Sequence, residues 1–450
     1  MMTNPRSKNK TRRILLLAVS FLLVAGASAA WLFHSRKPPA PQAPAPKSTN
    51  AKVDPEELDR LRSLGYLDFV PEKKGDSRSG LLRRTDAAYP GYNFFTNAYM
   101  CMAVLTDDQG EVVNYWLQQG LCDRWANAEF LENGDILVIG RDQRQKNDQQ
   151  LDSRRFLMKL SWTGEVLWKR PVAAHHDVEV APSRKLLALT TGLRTIQEVH
   201  PTLPIRDNRI TVLSENGEEE ESASLYDIFR TAPGLVAIQP VRPRSAREID
   251  LIHANSVEWI RPEKLREKRS GPLYSPANIL FCTRHQDVIG IVDWRTKKLI
   301  WAWGQGILSG PHDATLLPNG NILLFDNGLA RGWSRILELD PVEKQIVWQY
   351  PPGNKSDFFT ADRGSSQRLP NGNTLIAESD KGRAFEVTPD GQIAWEYLNP
   401  FRNAKGERAT IVRFYRIDSD VVRNILRSRG EGRKKPPLQV KTSAASRETY

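Results

Sequence analysis

A unit of about 50 residues recurs along the chain, and repeats of that period restrict the fold to solenoids, propellers and related arrays. HDATLLPNGNILLFDNG starts at His312 and SSQRLPNGNTLIAESDKG at Ser365, which sets the turn residues Asn319 and Asn371 52 residues apart. LENGDILVIG around Asn133 is a third copy, and HHDVEVAPSRKLLALTTG from His175 is a degenerate fourth, with its turn at Ser183, 50 residues after Asn133. Each copy is followed by a second half ending in a polar turn and an aromatic strand, clearest in LSWTGEVLWKR, LELDPVEKQIVWQYP and EVTPDGQIAWEYLNP. Weaker halves begin at Ala103, Ile210 and Gly290, which makes six.

Alternating apolar residues across Asn-Gly or Asp-Gly turns predict hairpins, because these residues accept the positive φ of a tight, correctly twisted turn. Two hairpins per period make a four-stranded blade, and radial closure of such blades hides their edges. The fold class is therefore all-β, a six-bladed β-propeller over residues 89–418. RATIVRFYRID, Arg408 to Asp418, is expected to return as the last strand of the first blade. Trp168, Trp301, Trp348 and Trp395 fall at one place in the unit and are expected to pack between blades.

The ends are different in kind. Residues 1–13 are basic, and 14–33 form an uncharged apolar run of 20, long enough to cross a bilayer. That predicts an inner-membrane anchor with the propeller on the periplasmic side. The Ala27-Ser28-Ala29 triplet keeps a cleaved signal peptide open, and Arg12-Arg13 faintly resembles a twin-arginine signal. Residues 34–88 read as a Pro-rich spacer, PPAPQAPAP, and a short helix in DPEELDRLRSLGYL. Residues 419–450 read as a basic tail lacking order.

The net charge of +11 lies largely in the termini and in the loop from Arg242 to Arg247. With export expected and no nucleic-acid module in the sequence, nucleic acid is excluded as a partner in favour of anionic substrates or lipid. Three cysteines are too few for a disulfide scaffold. Cys101 and Cys122 flank one predicted hairpin and could bond in an oxidising compartment, and Cys282 in NILFC reads as buried.

Only seven histidines occur, and His176, His253 and His312 stand at or near one register of the repeat, His176 and His312 each seven residues before a turn. Ala126 and Gly364 hold the matching positions elsewhere, so the fold does not need histidine there. First strands line a propeller's channel, so the three rings should converge. They could bind a transition metal with Asp177 or Asp313, or one could act as a nucleophile while others hold an anion. Arg284, in FCTRHQD, and Asn255 favour the anion, since arginine is a poor neighbour for a metal and a good one for a sulfuryl or phosphoryl group.

Taken together, IHANSVEWI, RHQDVIGIVDW and GPHDATLLPNGNILLFDNG resemble the bacterial arylsulfate sulfotransferases, exported six-bladed propellers. The resemblance implies sulfuryl transfer from an aryl sulfate ester to a phenolic acceptor, with ping-pong kinetics through a sulfohistidine. It makes His312 the nucleophile, sets His253, Asn255 and Arg284 on the sulfuryl oxygens, and makes His176, with His175 as the alternative, the remaining channel histidine. Ser365 or Ser366 is offered for the family's last-blade hydroxyl. No cofactor, metal or nucleotide donor is implied, and no GxxxxGK[ST] motif is present. Well-known members carry an N-terminal β-sandwich used in dimerisation, which the reading of residues 34–88 does not supply, so the oligomeric state stays open. A non-catalytic binding or scaffolding propeller and a quinoprotein-like redox propeller are the rival readings.

Overall fold

In the computed structural model, the described residues are 68–429 without 72–76, 119, 121, 144–151, 244–246, 267–268, 270 and 351–357. The apolar run, the Pro-rich spacer, the short helix and residues 430–450 lie outside them. No helix among the described residues is long and apolar enough to cross a membrane.

Six antiparallel sheets of four or five strands follow one another along the chain, each made of sequential hairpins. Their innermost strands are Phe414–Ile417, Cys122–Phe130, Ala174–Val180, Ala254–Trp259, His312–Leu316 and Ser365–Arg368. Counted from the first of these, the blades are one to six. Blade one is completed by Tyr92–Asn97, Met102–Thr106 and Val112–Leu117. The returning strand is thus the innermost of its blade, where the last had been expected. It is also shorter than RATIVRFYRID: Arg408–Ala409 instead pairs with Phe69–Val70, and the two short strands are separated by four residues. Blade six gains a fifth, outer strand, Gly80–Arg84, paired with Ile393–Leu398, so part of the segment read as spacer belongs to the propeller.

Tryptophans join the blades as their recurrence predicted. Trp301 Nε1 donates to Pro341 O at 2.9 Å, Trp348 Nε1 to Pro389 O at 3.0 Å and Trp395 Nε1 to Asp108 O at 3.0 Å, each reaching the outer turn of the next blade. Trp116, in one of the weaker halves, does the same to Ser161 O. The Trp168 ring lies so close over Gly217 that a Cβ there would sit 2.9 Å from it. An indole satisfies its one donor while burying its rings, which makes it efficient at such a seam.

The C-terminal expectation is corrected in part. Ser419–Ser428 is a helix whose N-cap Asp418 accepts from Asp420 N, with Val422 and Ile425 buried. Those two residues, one turn apart, anchor it near Trp162 and Gly134. The density of arginines in the sequence concealed that short apolar stripe.

Cys101 and Cys122 are joined as a disulfide between blade one and the inner strand of blade two, with Cα atoms 6.4 Å apart. Cys282 is fully buried, and burial pushes its thiol well above the usual range.

Candidate active site

The inner strands are tied into a ring by a repeated bond in which a side chain accepts the backbone N–H of the next blade. Val257 N donates to Asp177 Oδ2 at 3.0 Å, Ala314 N to Ser256 Oγ at 3.1 Å, Ser366 N to Asp313 Oδ2 at 2.7 Å and Phe414 N to Ser365 Oγ at 3.2 Å. These bonds fix the register. The residue just before each acceptor is His176, Asn255, His312 or Gly364, and Ala126 and Val412 complete the ring in the other two blades. All six line one narrow cavity of ≈ 70 Å³, together with Arg124, Asn127, Asp313, Arg363 and Arg413, space for several water-sized atoms.

The strands are bulged at this place. Pairing is shifted between Ala174 and Val178, Ala254 and Ser256, His312 and Thr315, and Trp125 and Asn127. His176, His253, Asp313 and Arg363 have φ between 52° and 63°, a left-handed conformation that costs a non-glycine residue free energy. Bulges re-aim side chains, and such outliers collect at functional sites.

His312 is the best-defined member. Its Nδ1 lies 2.8 Å from Asn327 Oδ1 and 3.1 Å from Gly310 O. The Asn327 amide cannot turn round, because its nitrogen already donates to Thr360 O at 2.9 Å and Arg363 O at 2.7 Å. Two acceptors at Nδ1 require the proton there. The Nε2 lone pair is then free, and that atom is buried with no hydrogen-bond partner. Burial first, and then the Arg284 charge, lower the His312 pKa to about 3, so the ring is neutral.

The other predicted residues are distributed as follows. His176 borders the narrow cavity and also a wider one of ≈ 340 Å³. His253 borders only the wider one; in register terms it stands two residues before Asn255, which takes the ring position itself. His253 Nδ1 is 2.5 Å from Asp250 Oδ2, and its ring lies 4.9 Å from that of His176. His175 packs against His176 at 5.0 Å, with Nε2 buried and unpartnered. Burial holds both rings well below the usual histidine range, reinforced in His176 by His253 and His312. Asn255 donates through Nδ2 to Pro311 O at 2.6 Å and keeps Oδ1 buried and unpartnered. Arg284 is buried beside His312 and paired with Asp362 at 2.5 Å.

Ser365 and Ser366 are not brought into this cavity. The Ser365 hydroxyl serves the inter-blade ring, and both residues line a third cavity of ≈ 330 Å³ on the far side of Asp313 and Arg413. Gly364 occupies the cavity position in blade six.

Asp250, His253 and His285 form the one group among the described residues with metal-ligand atoms within 4.8 Å of one another. His285 Nδ1 donates to Asp250 O at 2.6 Å, and its Nε2 faces Arg284 Nη1 at 3.4 Å. The His285 nitrogen on the side of the Asp250 carboxylate, 4.0 Å from Oδ2, is thus already bonded to a backbone carbonyl.

Sequence reasoning missed Asn327, Arg124, Arg363 and Arg413. Asn327 reads as an ordinary turn residue in FDNG, with no signal that it faces a histidine. Arg413 holds the same register position as Asp177 and Asp313 and could have been found from the closing strand. It crosses the channel to both, Nη1 to Asp177 Oδ1 at 2.8 Å and Nη2 to Asp313 Oδ1 at 2.7 Å, and forms the cavity floor.

Fold and site together define a six-bladed propeller with a basic, histidine-lined channel. The chain belongs to the arylsulfotransferase (ASST) family, whose sequence model matches residues 156–400, more than half of its length. At family level, that membership supports sulfotransferase-type function on small aryl substrates. No curated protein matches the chain. Similar solved structures include a Bacteroides caccae protein of unknown function, at 14% identity and a TM-score of 0.45, covering 72% of this chain and 98% of that one. A functionally unknown Desulfotomaculum acetoxidans protein follows at 10% identity and a TM-score of 0.42, covering 73% and 100%. A streptogramin B lyase has 12% identity and a TM-score of 0.40, covering 78% and 97%. None of the three likenesses bears on the function.

Proposed function

We propose that the chain moves a sulfuryl group from an aryl sulfate ester to a phenolic acceptor by a ping-pong route through a sulfohistidine at His312 Nε2. The observation that carries this is the locked ring: Nδ1–H held by Asn327 and Gly310, and Nε2 buried and unpartnered. In the first step the Nε2 lone pair bonds to sulfur and the S–O bond to the aryl group breaks, its electron pair leaving on the phenolate. The imidazole becomes positive as the N–S bond forms, and the two oxygens at Nδ1–H stabilise that charge. In the second step the acceptor oxygen bonds to the same sulfur, the N–S bond breaks and its pair returns to Nε2. Splitting one transfer into two is what a nucleophile gains over direct displacement.

His253, oriented by Asp250, is assigned to give the first phenolate its proton and take one from the acceptor. Arg284, Arg363 and Arg124 surround the cavity with the positive charge that a sulfuryl group requires. The aryl ring is assigned to the wider cavity, which shares Arg124, Ala126 and His176 with the narrow one. Membrane anchoring and a periplasmic location belong to the same proposal; the Cys101–Cys122 bond supports an oxidising compartment.

The test is release of nitrophenol from p-nitrophenyl sulfate with and without added phenol, in wild type and His312→Asn. Phenol-dependent release that disappears in a folded variant is the expected result. Equal release by the two proteins would refute the assignment.

A further inference from the structure

The wider cavity, to which the aryl ring is assigned, has a polar wall. Among the described residues that line it, only Ala126 and Gly140 lack a polar side chain. Several of those polar groups are engaged within the protein. Asn208 donates through Nδ2 to Arg206 O at 3.0 Å and accepts from Ala254 N through Oδ1 at 2.9 Å. Arg141 Nε donates to Asp123 at 2.6 Å, and Arg206 Nε to Glu248 at 3.0 Å.

Four polar atoms on the same wall are buried with no hydrogen-bond partner: Thr191 Oγ1, His175 Nε2, Asp250 Oδ1 and Arg124 Nε. Thr191 and His175 are only 7% and 4% exposed. The sheet of blade three holds those two close together. Thr191 lies in its second strand, Leu186–Arg194, and donates through N to Ala173 O at 3.0 Å, just ahead of the inner-strand bulge that carries His175. On its other side Thr191 faces the already engaged Asn208.

Buried polar atoms left open in this way are costly unless a ligand completes them, and their chemistry says what that ligand must offer. The Arg124 Nε–H donates and the Asp250 carboxylate oxygen accepts, while the Thr191 hydroxyl and a neutral imidazole nitrogen can do either. An alkyl substituent on the aryl ring would leave all four unpaired. A carboxylate offers acceptors alone and would face the Asp250 oxygen. A neutral hydroxyl both donates and accepts.

We infer that Thr191, together with His175, is a specificity-determining residue that reads a neutral hydroxyl on the substrate away from its reacting oxygen. The preferred substrates are then aromatics carrying a second, non-reacting hydroxyl, ahead of alkyl phenols and phenolic acids. The inference rests on the sulfuryl-transfer reading and names the substrate class of that site.

The test measures kcat/KM with p-nitrophenyl sulfate as donor and three acceptors: p-(hydroxymethyl)phenol, the shape-matched p-ethylphenol, and p-hydroxybenzoate. The meta isomers are run alongside, on wild type, Thr191→Val and Thr191→Ser. Val keeps the shape and removes the hydroxyl; Ser keeps the hydroxyl. Wild type should favour the hydroxymethyl acceptor over its ethyl partner by about tenfold, the effect of pairing buried groups that the ethyl compound leaves unpaired. Thr191→Val should cut that preference by about fivefold, as loss of one hydrogen bond does, and Thr191→Ser should retain it. A wild-type ratio near unity, with transfer to both acceptors intact, would overturn the inference and leave the transfer reading standing. A preference unchanged in Thr191→Val, or an equal loss with both acceptors, would overturn the role of Thr191. Faster transfer to p-hydroxybenzoate than to the hydroxymethyl acceptor would overturn the choice of a neutral group. A wild type that transfers to none of the acceptors would overturn the reading beneath as well.

Discussion

In three of the inner strands, two opposite environments lie three positions apart. On the histidine side, His176 and His312 are forced to stay neutral, burial and nearby positive groups taking His312 down to about 3. Three positions further on, past the Arg413 floor, Glu129, Glu179 and Glu258 line the far cavity. There burial raises Glu129 and Glu258 to about 7 and, with Glu258 adding its charge, holds Glu179 well above the usual carboxylate range. Both sets are ionisable groups, buried or partly buried, with their charged forms disfavoured. They differ in the sign of that charge, so pH acts on them in opposite directions.

For His312, the folded pKa of about 3 lies below the unfolded 6.5, so the unfolded chain binds the extra proton between those values and acid removes stability. For Glu258, the folded pKa of about 7 lies above the unfolded 4.5, so the folded chain binds the extra proton and stability falls as pH rises across that window. Between 4.5 and 6.5 the two effects oppose each other. The histidine side of the channel is accordingly the acid-sensitive side, and the far side is the alkali-sensitive one.

The largest effect that would break this contrast is on activity. His312→Asn should lower transfer on the order of 10⁴-fold or to background, as loss of a nucleophile does elsewhere, while making urea midpoints less sensitive to acid. Next is the floor. Arg413→Gln strands two buried carboxylates and should cost about 3–5 kcal/mol in chemical denaturation; adding Asp313→Asn should recover part of it, and a neutral outcome for Arg413→Gln would remove the floor from the account. Third, Asn327→Asp presents a carboxylate to Nδ1 and should raise the acid limb of kcat/KM by about two pH units. An unmoved limb would mean that Asn327 does not set the protonation state. The smallest effect belongs to Glu258→Gln, which should add about 1–2 kcal/mol of stability above neutral pH, with transfer rates within about twofold of wild type. A large rate loss there would join the two environments that the structure separates.

The blade plan was legible because hairpin turns and alternating apolar residues are local signals, and the 52-residue spacing of Asn319 and Asn371 repeats them in phase. The seven-residue offset of His176 and His312 from their turns carried them to the same ring for the same reason. His253 broke the pattern: no seven-residue offset to a turn marks it, and Asn255, two residues on, takes the ring position. Ser365 was chosen from a loose match, whereas the fold uses its hydroxyl as an inter-blade acceptor. Asn327 was not legible: it reaches the site from outside the repeat register, and only its tertiary contacts give it a role.

The most direct test of the central claim is to mix the enzyme with p-nitrophenyl sulfate in the absence of acceptor, follow the first turnover, and map any added sulfuryl group by mass spectrometry under mild, non-acidic conditions. The account predicts a burst of nitrophenol stoichiometric with enzyme and one SO₃ adduct on His312, discharged when phenol is added. A steady, burst-free release with no adduct, or an adduct on another residue, would contradict it.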